Sequence, residues 1–251
     1  MKRSSKITLI IVGAVLLGLL VLVANVMRSH MQVRGIEVVI DYGGVSPLVD
    51  GQTVADSVTR ALPDILTRQV KSVDCGKVAA AAEHVPYLTN VSTTVSVSGK
   101  VVVRADQRKP VARLFYGNAE FFIDREGGLL PLSSLGDCDV LVAGGDFVEP
   151  LRRDSVNSQV KLLSQLAAYL DEHPDYGDLI DQIFVESSGN LMLVPKLGNH
   201  VVELGGIENL DTKFSNLLTF YRRGMPRAGW NTYSKISLRF KGQVVCTRRT
   251  K

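Results

Sequence analysis

The chain of 251 residues has few of the residue patterns that metalloproteins and disulfide-rich proteins display. Its three cysteines, Cys75, Cys138 and Cys246, are odd in number and widely spaced, and the sequence has no C-x-x-C pair. Its four histidines share no metal-ligand spacing. The sequence therefore predicts neither a zinc site nor a disulfide framework, and no cofactor. A single disulfide between two of the cysteines stays open.

Signature motifs of common enzyme classes are also absent. The sequence has no G-x-S-x-G, H-E-x-x-H, P-loop or G-x-G-x-x-G. An S-x-x-K pattern at Ser158–Lys161 matches penicillin-binding serine enzymes, but its S-D-N and K-T-G companions are missing. Asp124 and Glu126 lie in a glycine-containing turn, where acids often serve the turn itself. We expect no catalytic residue; the alternative is an enzyme that uses Ser158 and Lys161, or the two acids.

The body of the chain has no large excess of charge. The formal net charge is +4, and six of the 29 cations lie at the two ends. They are Lys2, Arg3, Lys6, Arg248, Arg249 and Lys251. The remainder has 23 cations and 25 acids, whereas a nucleic-acid-binding protein needs a basic face. We therefore predict no nucleic-acid partner.

One long apolar run, residues 7–27, stands out in the composition. At ~1.5 Å per residue, a helix of this length spans about 30 Å, the thickness of a bilayer core. The run is longer than the apolar part of a cleaved signal peptide, and no A-x-A site follows it. We predict a cytoplasmic tail at residues 1–6, a transmembrane helix at 7–27 and all later residues outside the cytoplasm. A cleaved signal peptide is the alternative.

Residues 32–106 predict a compact unit with the order strand–helix–helix–strand–strand. Val33–Tyr42 alternates as a strand does, and Val54 and Val58 recur at helical spacing after the candidate caps Asp50 and Thr53. Asp74 is the predicted cap of the second helix. A hairpin follows, in which Val91, Val95 and Val97 share one face and the sequence "SGK" forms the turn.

Residues 107–251 predict a mixed, β-rich domain with two helices. The first helix has Asp154 or Ser155 as its cap and Val156 on its apolar stripe, and the second stops at Gly224. Three strands lie between the helices, and the chain closes with a hairpin of "YSKISLRF", a two-residue turn "KG" and "QVVCT". The predicted fold class is α+β.

A stiff junction joins these two regions. Pro110 fixes its own φ, cannot donate to a sheet, and favours an extended conformation for the residue before it. Arg108 and Lys109 flank this point, where one sheet ends and the next begins. We therefore predict that Arg108, Lys109 and Pro110 form a hinge between domains, and that the cations lie on its outside. An anionic ligand site at the same residues is the alternative.

Several motifs in this order resemble the FtsQ/DivIB family of bacterial cell-division proteins. "QRKPVA" (Gln107–Ala112) is similar to the E-R-x-P-x-A junction of that family, with Gln in place of Glu. Asp124, Gly127 and Pro131 fit its strand, glycine turn and proline. The stretches "LMLVPKLGNHVVELG" and "GWNTYSKISLRFKGQVVC" are most similar to FtsQ of the Bacteroidetes type. "ISLRF" (Ile236–Phe240) is similar to the I-D-L-R-Y strand of the family, with Ser237 and Phe240 as departures.

The resemblance implies a POTRA domain at residues 32–106 and a β domain at 107–251. It implies a single-pass, non-enzymatic scaffold of the inner membrane that is enriched at the division septum, with its bulk in the periplasm. It also implies FtsB-type and FtsL-type bitopic division proteins as partners. The scaffold would link early division proteins to septal peptidoglycan synthesis and would need no small-molecule substrate.

In this family a partner segment adds a strand at the far end of the β domain. The last predicted hairpin is the matching element, because an outermost strand offers unpaired backbone groups. We predict that the partner binds the backbone of this strand and the side chains of one face, while the other face packs in the core. The predicted partner-binding residues are Lys235, Ile236, Ser237, Leu238, Arg239 and Phe240. Lys235, Ser237 and Arg239 are the predicted contact side chains. A closing strand with solvated cations is the alternative.

Overall fold

The computed structural model describes residues 12–22, 31–152 and 155–250. Residues 12–22 form a helix, α1. Within these three ranges, none of the helices combines the length and the apolar character needed to cross a membrane. The predicted tail at 1–6 and both ends of the predicted span at 7–27 lie outside the described residues, so the anchor stays a prediction.

The chain divides into two compact units, with the boundary between Gln107 and Arg108. The N-terminal unit contains β1 (Gly35–Asp41), α2 (Gly51–Ala61), a 3₁₀ turn (Val70–Ser72), α3 (Cys75–Glu83), β2 (Leu88–Val95) and β3 (Lys100–Gln107). This order confirms the predicted strand–helix–helix–strand–strand unit. Its sheet has the order β1-β3-β2, with β1 parallel and β2 antiparallel to β3.

Side-chain caps fix both helices of the N-terminal unit. Asp50 accepts a hydrogen bond from the Thr53 N–H at 2.7 Å, and Asp74 accepts from the N–H groups that follow it. The predicted place of Val97 in the hairpin is wrong, because its side chain is 79% exposed. Strand β2 ends at Val95, and the turn already closes where the Ser96 N–H donates to the Lys100 carbonyl.

In its described residues, the C-terminal unit contains thirteen helices and strands. They are β4 (Pro110–Tyr116), β5 (Ala119–Asp124), β6 (Leu129–Pro131), β7 (Leu141–Gly145), α4 (Ser158–Glu172), α5 (Pro174–Gly177), β8 (Ile180–Val185), β9 (Leu191–Pro195), β10 (Val201–Gly205), α6 (Leu210–Arg223), α7 (Met225–Ala228), β11 (Tyr233–Ser237) and β12 (Val245–Arg248). Their nine strands form one mixed sheet in the order β12-β11-β10-β9-β8-β7-β4-β5-β6. The observed architecture confirms the predicted α+β class.

The core of the C-terminal unit lies between this sheet and helices α4 and α6. Leu163 and Leu166 from α4, and Phe214 and Leu217 from α6, are fully buried in it. The two helices also contact each other, since the Tyr169 hydroxyl of α4 donates to the Asp211 carboxylate of α6 at 2.7 Å. Burial of these apolar side chains supplies the main driving force that holds α6 on the sheet.

Helix α4 begins later than the sequence predicts. Its cap is Asn157, whose side-chain oxygen accepts from the N–H groups of Gln159 at 2.8 Å and Val160 at 3.2 Å. Ser155 is therefore not the cap, Asp154 lies outside the described residues, and Val156 is 54% exposed instead of lying on the apolar stripe. The two hydrogen bonds that Asn157 accepts as N-cap outweigh the continuation of the apolar pattern towards the N-terminus.

A buried glutamine explains why α4 starts there. The Gln159 amide accepts from the Val148 N–H at 2.8 Å and donates to the carbonyls of Asp146 at 3.0 Å and Glu186 at 3.1 Å. These three backbone groups follow β7 and β8, where the ladder hydrogen bonds end. The side chain thus replaces missing sheet bonds and fixes the first turn of α4 against the sheet.

Candidate partner-binding surface

Strand β12 is one edge of the nine-stranded sheet. It lies antiparallel to β11, with Val245 opposite Ser237 and Cys246 opposite Ile236. On its other side, no strand from the described part of the chain pairs with it. Backbone groups on that side are therefore available to another polypeptide.

Two residues of β12 direct their backbone groups outwards. On the inner side, the Arg249 N–H donates to the Thr232 carbonyl at 3.0 Å. Across β11, the Leu238 N–H donates to the Glu203 carbonyl of β10 at 2.8 Å. Alternate residues of a strand present their N–H and C=O groups to opposite sides. Because the Arg249 N–H points inwards to β11, the backbone groups of Arg248 and Cys246 point towards the open edge.

The expectation that Lys235–Phe240 is an outermost strand is wrong. Strand β11 lies between β10, with which it pairs in parallel, and β12. It ends at Ser237, and residues 238–244 replace the predicted two-residue turn. The sheet therefore already uses the backbone of Lys235–Ser237 on both sides. Whether these residues contact a partner stays a prediction, and the free backbone groups lie on β12.

Two of the three predicted contact side chains, Lys235 and Arg239, pair with one carboxylate, Glu203 of β10, whereas the third, Ser237, is only 5% exposed. Lys235 Nζ lies 3.7 Å from Glu203 Oε2, and Arg239 Nη1 lies 3.2 Å from Glu203 Oε1. Burial alone would raise the pKa of Glu203, but its interaction with the nearby Ser237 side chain, the hydrogen bond from Arg239 and the charge of Lys235 bring the pKa below its ordinary value. This carboxylate therefore stays ionised and neutralises part of the charge on the predicted contact face.

The predicted apolar face is confirmed for two residues and wrong for the third. Ile236 and Leu238 are 0% and 3% exposed and belong to the core. Phe240 is 54% exposed, because it lies in the connection after β11 has ended and strand alternation no longer decides its direction. An exposed aromatic residue therefore lies within the β11–β12 connection.

The predicted hinge residues lie at the start of the C-terminal unit. Pro110 is the first residue of β4 and lies opposite Asp124 of β5. Arg108 Nη1 lies 3.3 Å from the Asp124 carboxylate, and Lys109 Nζ lies 3.0 Å from the Asp171 carboxylate. Both cations thus form ion pairs within this unit. The assignment of Arg108, Lys109 and Pro110 to a hinge stays a prediction.

Asp124 anchors a turn and is not arranged for catalysis with Glu126. Its carboxylate is buried and accepts from the N–H groups of Glu126 at 3.1 Å and Gly128 at 2.7 Å. Burial raises the pKa of Asp124, against the opposing effects of the Gly128 hydrogen bond and the Arg108 charge. A side chain at Gly128 would place a Cβ 2.9 Å from both Arg108 Nη1 and Asp124 Oδ2. A side chain at this position would therefore have to displace the Arg108 guanidinium or the Asp124 carboxylate.

The remaining candidate catalytic groups are not assembled into a site. Ser158 and Lys161 are both exposed at the start of α4, and Glu126 is exposed beside its turn. Among the described residues, no three side chains of His, Cys, Asp or Glu are grouped so that they could hold a metal ion. The geometry of these residues offers no support for the enzyme hypothesis.

A buried histidine ties the start of β10 to helix α6, and an arginine ties the same segment to the end of β12. His200 Nε2 lies 2.7 Å from the Tyr221 hydroxyl of α6, and Arg249 donates to the carbonyl of Asn199. Burial lowers the pKa of His200, and the positive charge of Arg249 lowers it further. The ring is therefore held neutral, and Trp230 packs edge-on against Tyr221 at 5.4 Å.

Sequence reasoning missed the edge residues Cys246 and Arg248, although a signal for them was present. Strand β10, helix α6 and strand β11 follow one another along the chain. This order predicts that β11 lies parallel to β10, because parallel neighbouring strands are joined by a crossover connection that is usually a helix of this length. A crossover of this kind seats β11 against β10 and leaves the following strand, β12, on the outside.

We expect the two junction cations to differ sharply in their contribution to stability. Arg108→Met should lower the free energy of unfolding by about 2–4 kcal/mol, because it leaves the buried Asp124 carboxylate without its cation. Lys109→Met should cost less than about 1 kcal/mol, since the Lys109–Asp171 pair is exposed. Urea unfolding followed by Trp230 fluorescence measures both. Equal losses in the two variants would contradict the assigned role of Arg108.

We expect His200 to make the C-terminal unit less stable in acid. Its pKa in the folded state lies below its ordinary value of 6.5, so the neutral form contributes fully above that pH. Below it, protonation favours the unfolded chain and the free energy of unfolding falls. Urea unfolding between pH 7.5 and pH 5 should show this fall in the wild type and a smaller one in His200→Gln. A variant that keeps the full pH dependence would rule out His200 as its source.

Comparison with known proteins identifies the family of the C-terminal unit. No match to the chain was found among curated proteins. The family model described as FtsQ/DivIB, C-terminal related, matches residues 109–247, which is just over half of the chain. The match runs from the start of the C-terminal unit to Thr247 in β12 and includes the open edge of the sheet. The chain therefore belongs to the FtsQ/DivIB family through this C-terminal related domain.

Proposed function

We propose that this protein is a non-enzymatic scaffold of the division machinery that binds its partner by adding a strand at β12. Membership of the FtsQ/DivIB family supports a role in cell division. The observation that carries the finer proposal is the open edge of β12, where Cys246 and Arg248 present their backbone groups. Main-chain pairing would supply affinity, and alternate side chains would supply specificity.

The two edges of the sheet differ in a way that favours β12. The opposite edge strand, β6, has three residues and ends in Pro131, and short strands and prolines are common means of protecting an edge from association. Strand β12 has four residues without a proline, and Val245 is 43% exposed. The edge at β12 is the less protected one, which supports its use as a binding site.

The proposed partners are the FtsB-type and FtsL-type bitopic division proteins. In this proposal residues 7–27 anchor the protein in the inner membrane, the N-terminal unit is a POTRA domain, and both units lie in the periplasm. The scaffold is enriched at the septum, where it links early division proteins to septal peptidoglycan synthesis. The exposed positions of Ser158 and Lys161, and the buried turn at Asp124, support a role without catalysis.

A proline in β12 tests this proposal. The wild type and the variants Cys246→Pro and Cys246→Ala, all as full-length chains in a nonionic detergent, are titrated with the FtsB-type and FtsL-type proteins of the same organism. Proline removes an outward N–H, whereas alanine removes the side chain and keeps that donor. We expect Cys246→Pro to weaken binding by about tenfold or more and Cys246→Ala to bind nearly as the wild type does.

The two ways in which this test can fail are distinguishable. Trp230 fluorescence and thermal unfolding establish that both variants are folded. Wild-type affinity in a folded Cys246→Pro variant would move the binding site away from β12. No binding of either partner by the wild type would refute the scaffold role with these proteins.

A further inference from the structure

The charges of this chain are strongly polarised along the sequence. Residues 1–211 contain 19 cations and all 25 acids, whereas residues 212–251 contain ten cations and no acid. The near-neutral composition of the body of the chain conceals this segregation. The basic segment begins within α6 and continues through α7, β11 and β12.

Part of this basic segment is neutralised within the fold. Lys213 binds the Glu208 carboxylate at 2.7 Å, Lys235 and Arg239 share Glu203, and Arg249 donates to a backbone carbonyl. The other described cations of this segment are exposed and form no ion pair with any carboxylate of residues 31–152 or 155–250. These unpaired cations are Arg222, Arg223, Arg227, Lys241 and Arg248.

Two of the unpaired cations line one groove. The groove has a volume of about 340 Å³ and lies between the end of α6, helix α7 and the connection that leads into β12. Arg223 and Arg227 supply its charge, and Phe220 and Val244 supply apolar walls. Gly224 lets the Phe220 ring lie against the backbone, since a Cβ at that position would come within 2.7 Å of the ring.

Stabilisation of helix α6 explains only part of this charge. Cations in the last turn of a helix interact favourably with its dipole, which accounts for Arg222 and Arg223. Arg227 belongs to α7, and Lys241 lies in the β11–β12 connection, so neither is in that turn. Clustering like charges costs free energy through repulsion, and a bound anion would offset this cost.

We propose that this groove binds carboxylate side chains of an acidic peptide segment, adjacent to the strand that pairs with β12. The inference deepens the proposed function and rests on it. Val244 lines the groove and directly precedes β12, so a segment paired with β12 would reach the groove at one end of the paired strand. Arginine fits this role because its planar fork binds a carboxylate through two hydrogen bonds. The apolar walls favour glutamate over the phosphate groups of a lipid surface, because the methylene groups of glutamate can pack against these walls.

Charge reversal in the groove tests the inference on the full-length protein. Arg223→Glu/Arg227→Glu should weaken binding of the partner identified in the β12 titration by about tenfold or more, and should reduce the dependence of affinity on NaCl. Lys71→Glu/Lys77→Glu changes the net charge equally at exposed residues of the N-terminal unit and should leave the affinity within about twofold of the wild type. Because Arg223 also supports α6, Arg227→Glu/Lys241→Glu is measured as a second variant outside its last turn.

Each outcome separates this inference from the proposed function. If Cys246→Pro abolishes binding but both groove variants bind as the wild type does, the inference fails and the strand-addition proposal stands. Unchanged partner affinity, together with loss of thermal stabilisation by short-chain phosphatidylglycerol, would assign the groove to an anionic lipid and also overturn the inference. Equal losses in the groove variants and the Lys71/Lys77 control would reduce it to a general charge effect. Absence of partner binding by the wild type would remove both proposals.

Discussion

The parallel pairing of β11 with β10 determines which strand of the C-terminal unit lies at the free edge of the sheet. A parallel neighbour requires a helical crossover, and α6 supplies it by packing Phe214 and Leu217 into the core. Once β11 is seated beside β10, the final hairpin can extend the sheet only outwards. The free edge at β12 is thus a consequence of the apolar packing of α6 against the sheet.

Buried polar groups hold this framework in register, and their arrangement is structural. Gln159 bonds to three backbone groups, Asp124 closes a turn and pairs with Arg108, and His200 joins β10 to α6. Each of these side chains forms hydrogen bonds with buried polar groups. A buried polar group without a hydrogen-bond partner would cost about 1–3 kcal/mol. A rigid scaffold with a prepared edge is what strand addition needs, since little ordering free energy is then lost on binding.

Local features of the fold could be predicted from the sequence, because they depend on neighbouring residues. Asp50 and Asp74 begin helices as capping rules predict, and α6 ends at Gly224 after an apolar stripe that includes Phe214. The start of α4 was misplaced because the buried contacts of Gln159 come from segments distant in sequence. The order of strands at the C-terminal edge depends on a long-range pairing, which is why Lys235–Phe240 was expected outside and Phe240 was expected in the core.

Amide hydrogen exchange on the full-length chain, with and without the bound partner, tests the central claim most directly. In the free protein, the outward amides of Cys246 and Arg248 should exchange rapidly, while those of β11 are protected by pairing on both sides. In the complex, the amides of Cys246 and Arg248 should become protected, because strand addition places acceptors opposite them. Unchanged exchange at β12, with new protection on the open sheet face or in the N-terminal unit, would contradict the account.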